Sequence, residues 1–394
     1  MPGPLEHLRV LDLSRIMAGP WCCQILADLG AEVIKVERPG LGDDTRSWGP
    51  PYLKDSEGRD TRESGYYLSV NRGKQSITLD LATDEGRKTV LALAATCDVV
   101  VENFKSGTLD RMGLGYAALL AANPGIILAS VTGFGQTGPR AGDAAYDFMI
   151  QAMSGLMSVT GPADGETGGG PQKVGVPIVD IMTGMYTAIA VLAAVANREQ
   201  SGKGDHIDIA MQDVAVGFLA NQAMNYLVSG TVPVRRGNRH PNIQPQDVFQ
   251  VADGHLVLAV GNDGQFRAFA EALGRPQWGD DPRFSRNDAR VENLAALHPL
   301  ICEALSAQPL AHWLQELGHR GVPCGPINTI PMALEDPQIQ HRRMVRELPH
   351  PLSGSVRHVV SPMNFANSPL ALDRSAPLLG EDTEAVLARL AGSA

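Results

Sequence analysis

Apolar positions in the first half of the chain fall into short blocks that alternate between strand-like and helical spacing. Leu8 to Leu13 predicts a strand, Trp21 to Leu29 carries the helical period and stops at Gly30, and Glu32 to Val36 predicts a second strand. The order recurs as strand Ser76 to Leu81, helix Asp84 to Ala95 and strand Asp98 to Val101, and after "LGYAALLAANPG" as strand Ile126 to Val131. Strands alternating with helices predict an α/β fold whose parallel sheet is covered on both faces. A long helical region follows from Tyr186 through Arg198, then a polar strand in "GDHIDIAM" and an apolar helix near Val214 to Leu227. From Val232 to Gln246, Pro, Arg, Asn and Gly accumulate as in a crossover linker. Beyond it "HLVLAVGN", the helix "GQFRAFAEALG" and helices around Leu294 to Leu305 and Leu310 to Leu317 predict a compact second domain. The tail from Pro331 holds several prolines, the strand-like "SVRHVV" and a final helix, Glu381 to Leu390. No internal repeat or low-complexity segment interrupts this order.

At 394 residues the chain is too long for one ordinary core, and 44% hydrophobic with 19% charged residues is the balance of a globular protein. Lys plus Arg is 33 against 43 for Asp plus Glu, a net charge of -10, which argues against a nucleic-acid partner. An anionic ligand must therefore be met by locally placed bases. The five cysteines are odd in number and lack metal-ligand spacing, so no metal site is expected, and Cys22-Cys23 lies in an apolar run where packing explains it. The N-terminus "MPGPLEHLRVLDLS" lacks a basic start followed by an apolar stretch, and by this reading no run reaches the ~18 apolar residues of a membrane span. The expectation is a cytoplasmic protein with no membrane partner.

No GxGxxG follows the first strand and no GxxxxGK[ST] occurs, so dinucleotide and P-loop sites are unsupported. The ten histidines show no HExxH, and no GxSxG has a nearby partner. What stands out is Asp180, the lone charge between Gly175 and Ala196, at the mouth of an Ala-rich helical pattern. As a helix cap it would accept backbone N–H bonds; as a nucleophile it would be held ionised by the same helix end. The two roles are compatible. The second unusual stretch is "VVENFKSGTLDRMGLG", Val100 to Gly115, where a strand runs into Asn103-Phe104 and a short helix bearing Arg111. It reads either as a solvated βα loop or as a ligand site at the carboxyl end of a parallel strand.

At these residues the sequence resembles the class III CoA-transferases, the family of formyl-CoA transferase, carnitine CoA-transferases and α-methylacyl-CoA racemase. The matching motifs run from "VLDLSRIMAGPWCCQILADLGAEVIKVERP" through "VNRGKQSITLDL", "VVENFKSGTLDRMGLGY", "VTGFGQTGP", "GVPIVDIMTGM" and "GVPCGPIN" to "APLLGEDT", nearly the whole chain. The resemblance implies a Rossmann-like large domain plus a smaller α/β domain, in an interlocked homodimer of ring-shaped chains. Residues 1–205 would form the N-terminal part of the large CoA-binding domain, 206–227 a connecting helix, 228–330 the small domain, and 331–394 a segment returning to the large one. It also implies that Asp180 is the nucleophile, forming an anhydride and then a CoA thioester. Coenzyme A would be part of substrate and product, with no tightly bound cofactor. Arg38, Asn103, Phe104, Arg111 and Met112 match the family's CoA site, and Ile16, Met17 and Ala18 its thioester end.

The sequence departs from the family in informative places. Met17 replaces the Gln of formyl-CoA transferase, which disfavours a formyl or oxalyl substrate. Tyr146-Asp147 replaces the His-Asp pair of the racemases; Tyr, with a pKa of ~10, is a poor base, so transfer is favoured over racemisation. "AVGNDGQF" replaces a glycine run, and Gly261, Asn262 and Gly264 there either permit loop motion or shape a strand-to-helix turn. This loop and "RRGNRHPNIQPQDVF" look most like members using succinyl-CoA and a dicarboxylate-like acceptor. The distal carboxylate of such an acceptor needs a base, with Arg72, Arg235, Arg236 and Arg239 as candidates. The expected partners are thus an acyl-CoA donor and a carboxylate acceptor. The rivals are a racemase-like isomerase and a non-catalytic acyl-CoA-binding protein in which Asp180 is only a cap.

Overall fold

The computed structural model describes residues 3–392, which divide into two compact units, one of residues 3–156, 174–221 and 337–392, the other of 157–173 and 222–336. The first unit is built on strands β1 (Arg9–Asp12), β2 (Glu32–Glu37), β5 (Gln75–Thr78), β6 (Val99–Glu102), β7 (Ile127–Thr132) and β8 (His206–Ala210), with β3 (Tyr52–Lys54) and β4 (Asp60–Ser64) forming a separate hairpin. The six-stranded sheet has the order β5-β2-β1-β6-β7-β8, and every pairing in it is parallel. From β1 the chain winds outward through β2 to β5; from β6 it winds the other way. The order therefore reverses between β1 and β6, and the crevice outside the carboxyl ends of those two strands is where such sheets bind ligands.

Side chains alternate across the sheet even though both faces are covered. Val10, Val99 and Val101 join Cys22, Cys23, Leu26 and Val191 on one face, while Leu11 and Val100 join Val90, Leu119 and Val386 on the other. The C-terminal segment is tied to the edge strand. Ser76 N–H donates to the Asp382 carboxylate at 2.9 Å, Asp382 N–H to the Ser76 carbonyl at 2.9 Å, and Thr78 N–H to Thr383 Oγ1 at 3.1 Å.

The second unit packs a three-stranded antiparallel sheet of β9 (Gln246–Val251), β10 (Gly254–Ala259) and β11 (Cys324–Pro326) against helices Leu294–Ser306 and Leu310–His319. Its core includes Phe249, Phe266, Phe269, Leu297, Ile301 and Leu317. Arg290 is fully buried there, donating to the carbonyls of Gln244 and Phe284 and to Asp263.

The structure corrects several expectations. Residues 157–173 belong with 222–336, and 206–221 belong to the first unit, because β8 completes its sheet beside β7. The helix expected over Val214 to Leu227 is broken into Met211–Gly217 and Ala220–Ser229, with Ala220 at φ +45°. The helix expected from Tyr186 begins eight residues earlier, at Ile178, and runs to Ser201. That full helix is long and apolar enough, by length and composition, to cross a membrane, contrary to the reading of the sequence. Val179, Ala188, Val191, Ala194 and Val195 on it are nevertheless buried within the unit.

Candidate active site

The turn after β1 is held from several sides by buried polar groups. Asp12 accepts from Ser14 N–H at 3.0 Å and from the Ser14 hydroxyl, and pairs with Lys74 Nζ at 2.9 Å. Lys35 Nζ donates to the Ser14 carbonyl at 2.8 Å and pairs with Asp43 at 2.9 Å, both side chains being 0% exposed. Asp43 in turn accepts from Ile16 N–H at 3.2 Å, and its carboxyl lies well below the usual range because Lys35 and the Thr45 hydrogen bonds outweigh its burial. Just past the end of β6, Asn103 accepts from Arg15 N–H at 2.8 Å and donates to the Arg15 carbonyl at 2.6 Å. These bonds hold Ile16 at φ +74°, a conformation costly for a β-branched residue and sustained only where the surroundings over-determine it. Met17 and Ala18 follow, both buried, at the start of the Ala18–Asp28 helix.

Asp180 lies in the first turn of the Ile178–Ser201 helix, not at its cap. The capping role falls to Asp147 of the Asp147–Met153 helix, whose Oδ1 accepts from Val179 N–H at 2.7 Å and Asp180 N–H at 3.2 Å. Gln151 secures it, donating to Asp147 Oδ2 at 2.6 Å and accepting from Val174 N–H at 2.9 Å. The helix-end donors are thus spent on Asp147. Asp180 is not held ionised as its position in the sequence suggested: burial first, then the Asp147 charge, push its carboxyl up to about 7. A carboxylate so raised is more basic and more nucleophilic once ionised.

Gly184, four residues on and on the same helical face, lets this helix close on the one that starts at Ala18. A Cβ there would meet the Ala18 carbonyl oxygen at 2.6 Å and Trp21 Cβ at 2.9 Å. Asp180 therefore stands about one turn, ~5.4 Å, from the point where the helix touches the Ile16–Ala18 turn. Tyr66, half-buried and edge-on to Trp48 at 5.0 Å, is pushed up to about 12 by burial and by the carboxylates of Asp180, Asp147 and Asp43. A phenol among these acids stays protonated and remains a hydrogen-bond donor.

A cavity of about 330 Å³ opens at the carboxyl ends of β1, β2 and β6, lined by Leu13, Arg15, Arg38, Leu81, Phe104 and Met112 among others. Arg15, not recognised in the sequence, contributes a guanidinium that pairs with Asp44 at 2.8 Å and lies 5.8 Å over the Phe104 ring. Its buried Nε has no partner among the described residues. Of the residues matched to a CoA site, Arg38, Phe104 and Met112 line this cavity. Arg111 is not among its lining residues; it is exposed and donates to Thr108 Oγ1. The Asn103 amide is spent on the Arg15 backbone.

Arg72 is corrected from an acceptor-binding candidate to a structural residue. It is 2% exposed, pairs with Asp28 at 2.5 Å and donates to the Val359 carbonyl at 3.0 Å, so it has no free edge for substrate. Tyr146 is exposed at 62%, and Asp147 serves as the cap described above. In the second unit, Asn262 caps the Asp263–Ala272 helix through Gln265 N–H, and Gly261 N–H donates to Gln265 Oε1, a strand-to-helix turn. Arg235 is paired with Asp164 and Arg239 with Glu166, whereas exposed Arg236 makes no ion pair among the described residues. Tyr66, Asp43 and Gln151 lie outside the matching motifs, and Lys35, though inside one, stands in an ordinary strand pattern; long-range folding brings them to the site.

Comparison with known proteins identifies the family of the chain. The chain is 46% identical over 387 residues, 98% of its length and 96% of the relative's, to succinate--glutarate CoA-transferase of Agrobacterium fabrum. It is 40% identical over 384 residues, 98% of its length and 85% of the relative's, to succinyl-CoA:glutarate CoA-transferase of Homo sapiens. The crystal structure of a CAIB/BAIF family protein from Brucella suis superposes with a TM-score of 0.86 at 48% identity, covering 99% of this chain and 100% of that one. The model of CoA-transferase family III matches residues 5–383, and the chain is a member of that family of enzymes.

Proposed function

We propose that this enzyme moves CoA from succinyl-CoA to glutarate or a dicarboxylate of similar length, through covalent intermediates on Asp180. The observation that carries the reading is a carboxylate raised to about 7, with its helix-end N–H groups given to Asp147, one turn from a braced loop beside an Arg-bearing cavity. Names of the glutarate-using relatives supply the substrate pair.

The CoA nucleotide occupies the cavity, with Arg38 and Arg15 on its phosphates and Phe104 and Met112 against its apolar parts. The ionised Asp180 attacks the thioester carbonyl and expels CoA thiolate, leaving an aspartyl-succinyl anhydride. The thiolate attacks the aspartyl carbonyl, releasing succinate and leaving an aspartyl-CoA thioester. The acceptor carboxylate displaces the thiolate to give a second anhydride, and attack of the thiolate on its acceptor carbonyl yields the new acyl-CoA and free Asp180. Neutral Tyr66 supplies a hydrogen bond for oxygen charge that develops beside Asp180. The enzyme works as a homodimer, interlocked as its family resemblance implies; exposed Met185, Tyr186 and Ile189 on the Asp180 helix are the apolar surface a second chain would cover.

Incubation with succinyl-CoA followed by hydroxylamine tests the reading. The expected product is a hydroxamate at Asp180, found by peptide mass spectrometry and missing in Asp180→Ala. Intact Asp180 together with CoA transfer to glutarate would overturn the mechanism. Equal efficiency for glutarate and butyrate would overturn the dicarboxylate assignment alone.

A further inference from the structure

Glu102, the last residue of β6, is 4% exposed and makes no ion pair among the described residues. Its Oε2 accepts from Phe104 N–H at 2.8 Å, so the carboxyl shapes the turn that sets the Phe104 ring against the cavity. Its other partner is the Ser130 hydroxyl on β7. Ser130 Oγ lies 3.0 Å from Nε2 of His206 on β8, an exposed ring stacked on Tyr116 at 5.1 Å between centroids. A chain of polar groups thus runs from the surface, His206 to Ser130 to Glu102, and ends at the backbone of a cavity-lining residue. The charges that face the carboxyl from neighbouring elements are acidic: Asp110 from the Thr108–Arg111 helix and Asp208 from β8.

We propose that Glu102 is a positioning residue for acyl-CoA binding, its buried carboxyl holding the Phe104 wall through the Phe104 N–H and exchanging a proton with solvent along Ser130 and His206 when the anionic ligand binds. The inference rests on the cavity being the CoA site. Burial first, then Asp110 and Asp208, push Glu102 up to about 7, although Ser130 and Phe104 N–H oppose the rise. The neutral carboxyl therefore predominates below about 7. An arriving polyanion raises the group further, since it opposes a second negative charge nearby. The sign follows: CoA binds best below about 7, takes up a proton as it binds near neutrality, and weakens as pH rises and Glu102 is ionised.

Isothermal titration of free CoA into the full-length protein at pH 6.0 and 8.5, in buffers of low and high ionisation enthalpy, tests this. An Asp180→Asn background removes the titration of the nucleophile, and CoA's own phosphate ionisation is common to every variant. The parent is expected to take up a proton and to bind about three- to tenfold more weakly at pH 8.5, the size of one screened charge at close range. Glu102→Gln, which keeps the Phe104 bond and mimics the neutral acid, is expected to lose that extra pH slope and proton uptake while keeping the pH 6.0 affinity. Glu102→Ala should weaken binding at both pH values. If Glu102→Gln fails to fold, Ser130→Ala, which removes a hydrogen bond that opposes the rise of Glu102, is expected to move the pH-dependent weakening and the proton uptake to higher pH. A Glu102→Gln or Ser130→Ala variant with the parent's slope and proton count, or a Glu102→Ala variant with the parent's affinity, would overturn the inference. Arg38→Ala separates the two readings: if it leaves CoA affinity unchanged, the cavity assignment fails; if it weakens binding while the Glu102 variants behave as parent, only the Glu102 role fails.

Discussion

Replacing Asp147 by Asn isolates the charge that sets the nucleophile. The Asn carbonyl oxygen can still accept from Val179 N–H and Asp180 N–H, so the helix keeps a cap, but the negative charge beside Asp180 is gone. Asp180 stands at about 7, with burial the larger cause and Asp147 the second. A neighbouring unit charge at this range is worth about 1–2 pH units. With a group at 7, about one-tenth of the enzyme carries ionised Asp180 at pH 6; with the group moved down to about 5.5, about three-quarters does. The acid limb of kcat/KM for succinyl-CoA should therefore move down by about 1–2 units in Asp147→Asn, and activity at pH 6 relative to the plateau should rise several-fold. The plateau itself should fall, because a less basic carboxylate is a weaker nucleophile and the amide faces Gln151 Nε2 with a second donor. Initial rates of glutaryl-CoA formation by chromatography between pH 5.5 and 9 give both profiles, with substrate ionisation common to the two enzymes. An acid limb that does not move would refute the electrostatic account of Asp180.

Asp180→Asn should stabilise the protein at alkaline pH: a folded-state value above the unfolded one penalises the folded state fully above about 7 and not at all below about 4, so Tm is expected to rise by a few degrees at pH 8 and to match the wild type at pH 4. Arg38→Ala should raise KM for succinyl-CoA tenfold or more, and exposed Arg111→Ala by much less, in the same steady-state assay. Arg72→Ala leaves Asp28 buried without its partner and should cost about 3–5 kcal/mol in urea unfolding, while the acceptor KM of the folded fraction stays unchanged. Gly184→Val forces a side chain into the Ala18 carbonyl and should abolish folding or push the Asp180 helix off the Ile16–Ala18 turn; circular dichroism melts and a normal kcat would together contradict that packing.

Local pattern determined much of this protein. Apolar blocks of strand length alternating with helical periods specify a parallel sheet, because only strands buried on both faces can be apolar on successive residues, as Val99, Val100 and Val101 are. The isolation of Asp180 in an apolar stretch, and the long motifs around it, were legible for the same reason: a charge among apolar neighbours stands out in one dimension. Its chemistry was not legible. Whether a first-turn carboxylate is stabilised or destabilised depends on who receives the helix-end N–H groups, and that recipient, Asp147, lies 33 residues away in sequence. Arg72 looked like a ligand for an anion because a motif shows the guanidinium and hides Asp28, 44 residues away, which already occupies it. Arg15, Asp43 and Tyr66 passed unnoticed because each is ordinary in its own segment and acquires a role only where β1, β2 and β6 end together. Composition and periodicity report how a residue meets water and its neighbours along the chain; burial and charge at a site are sums over groups that only the fold brings within a few ångströms.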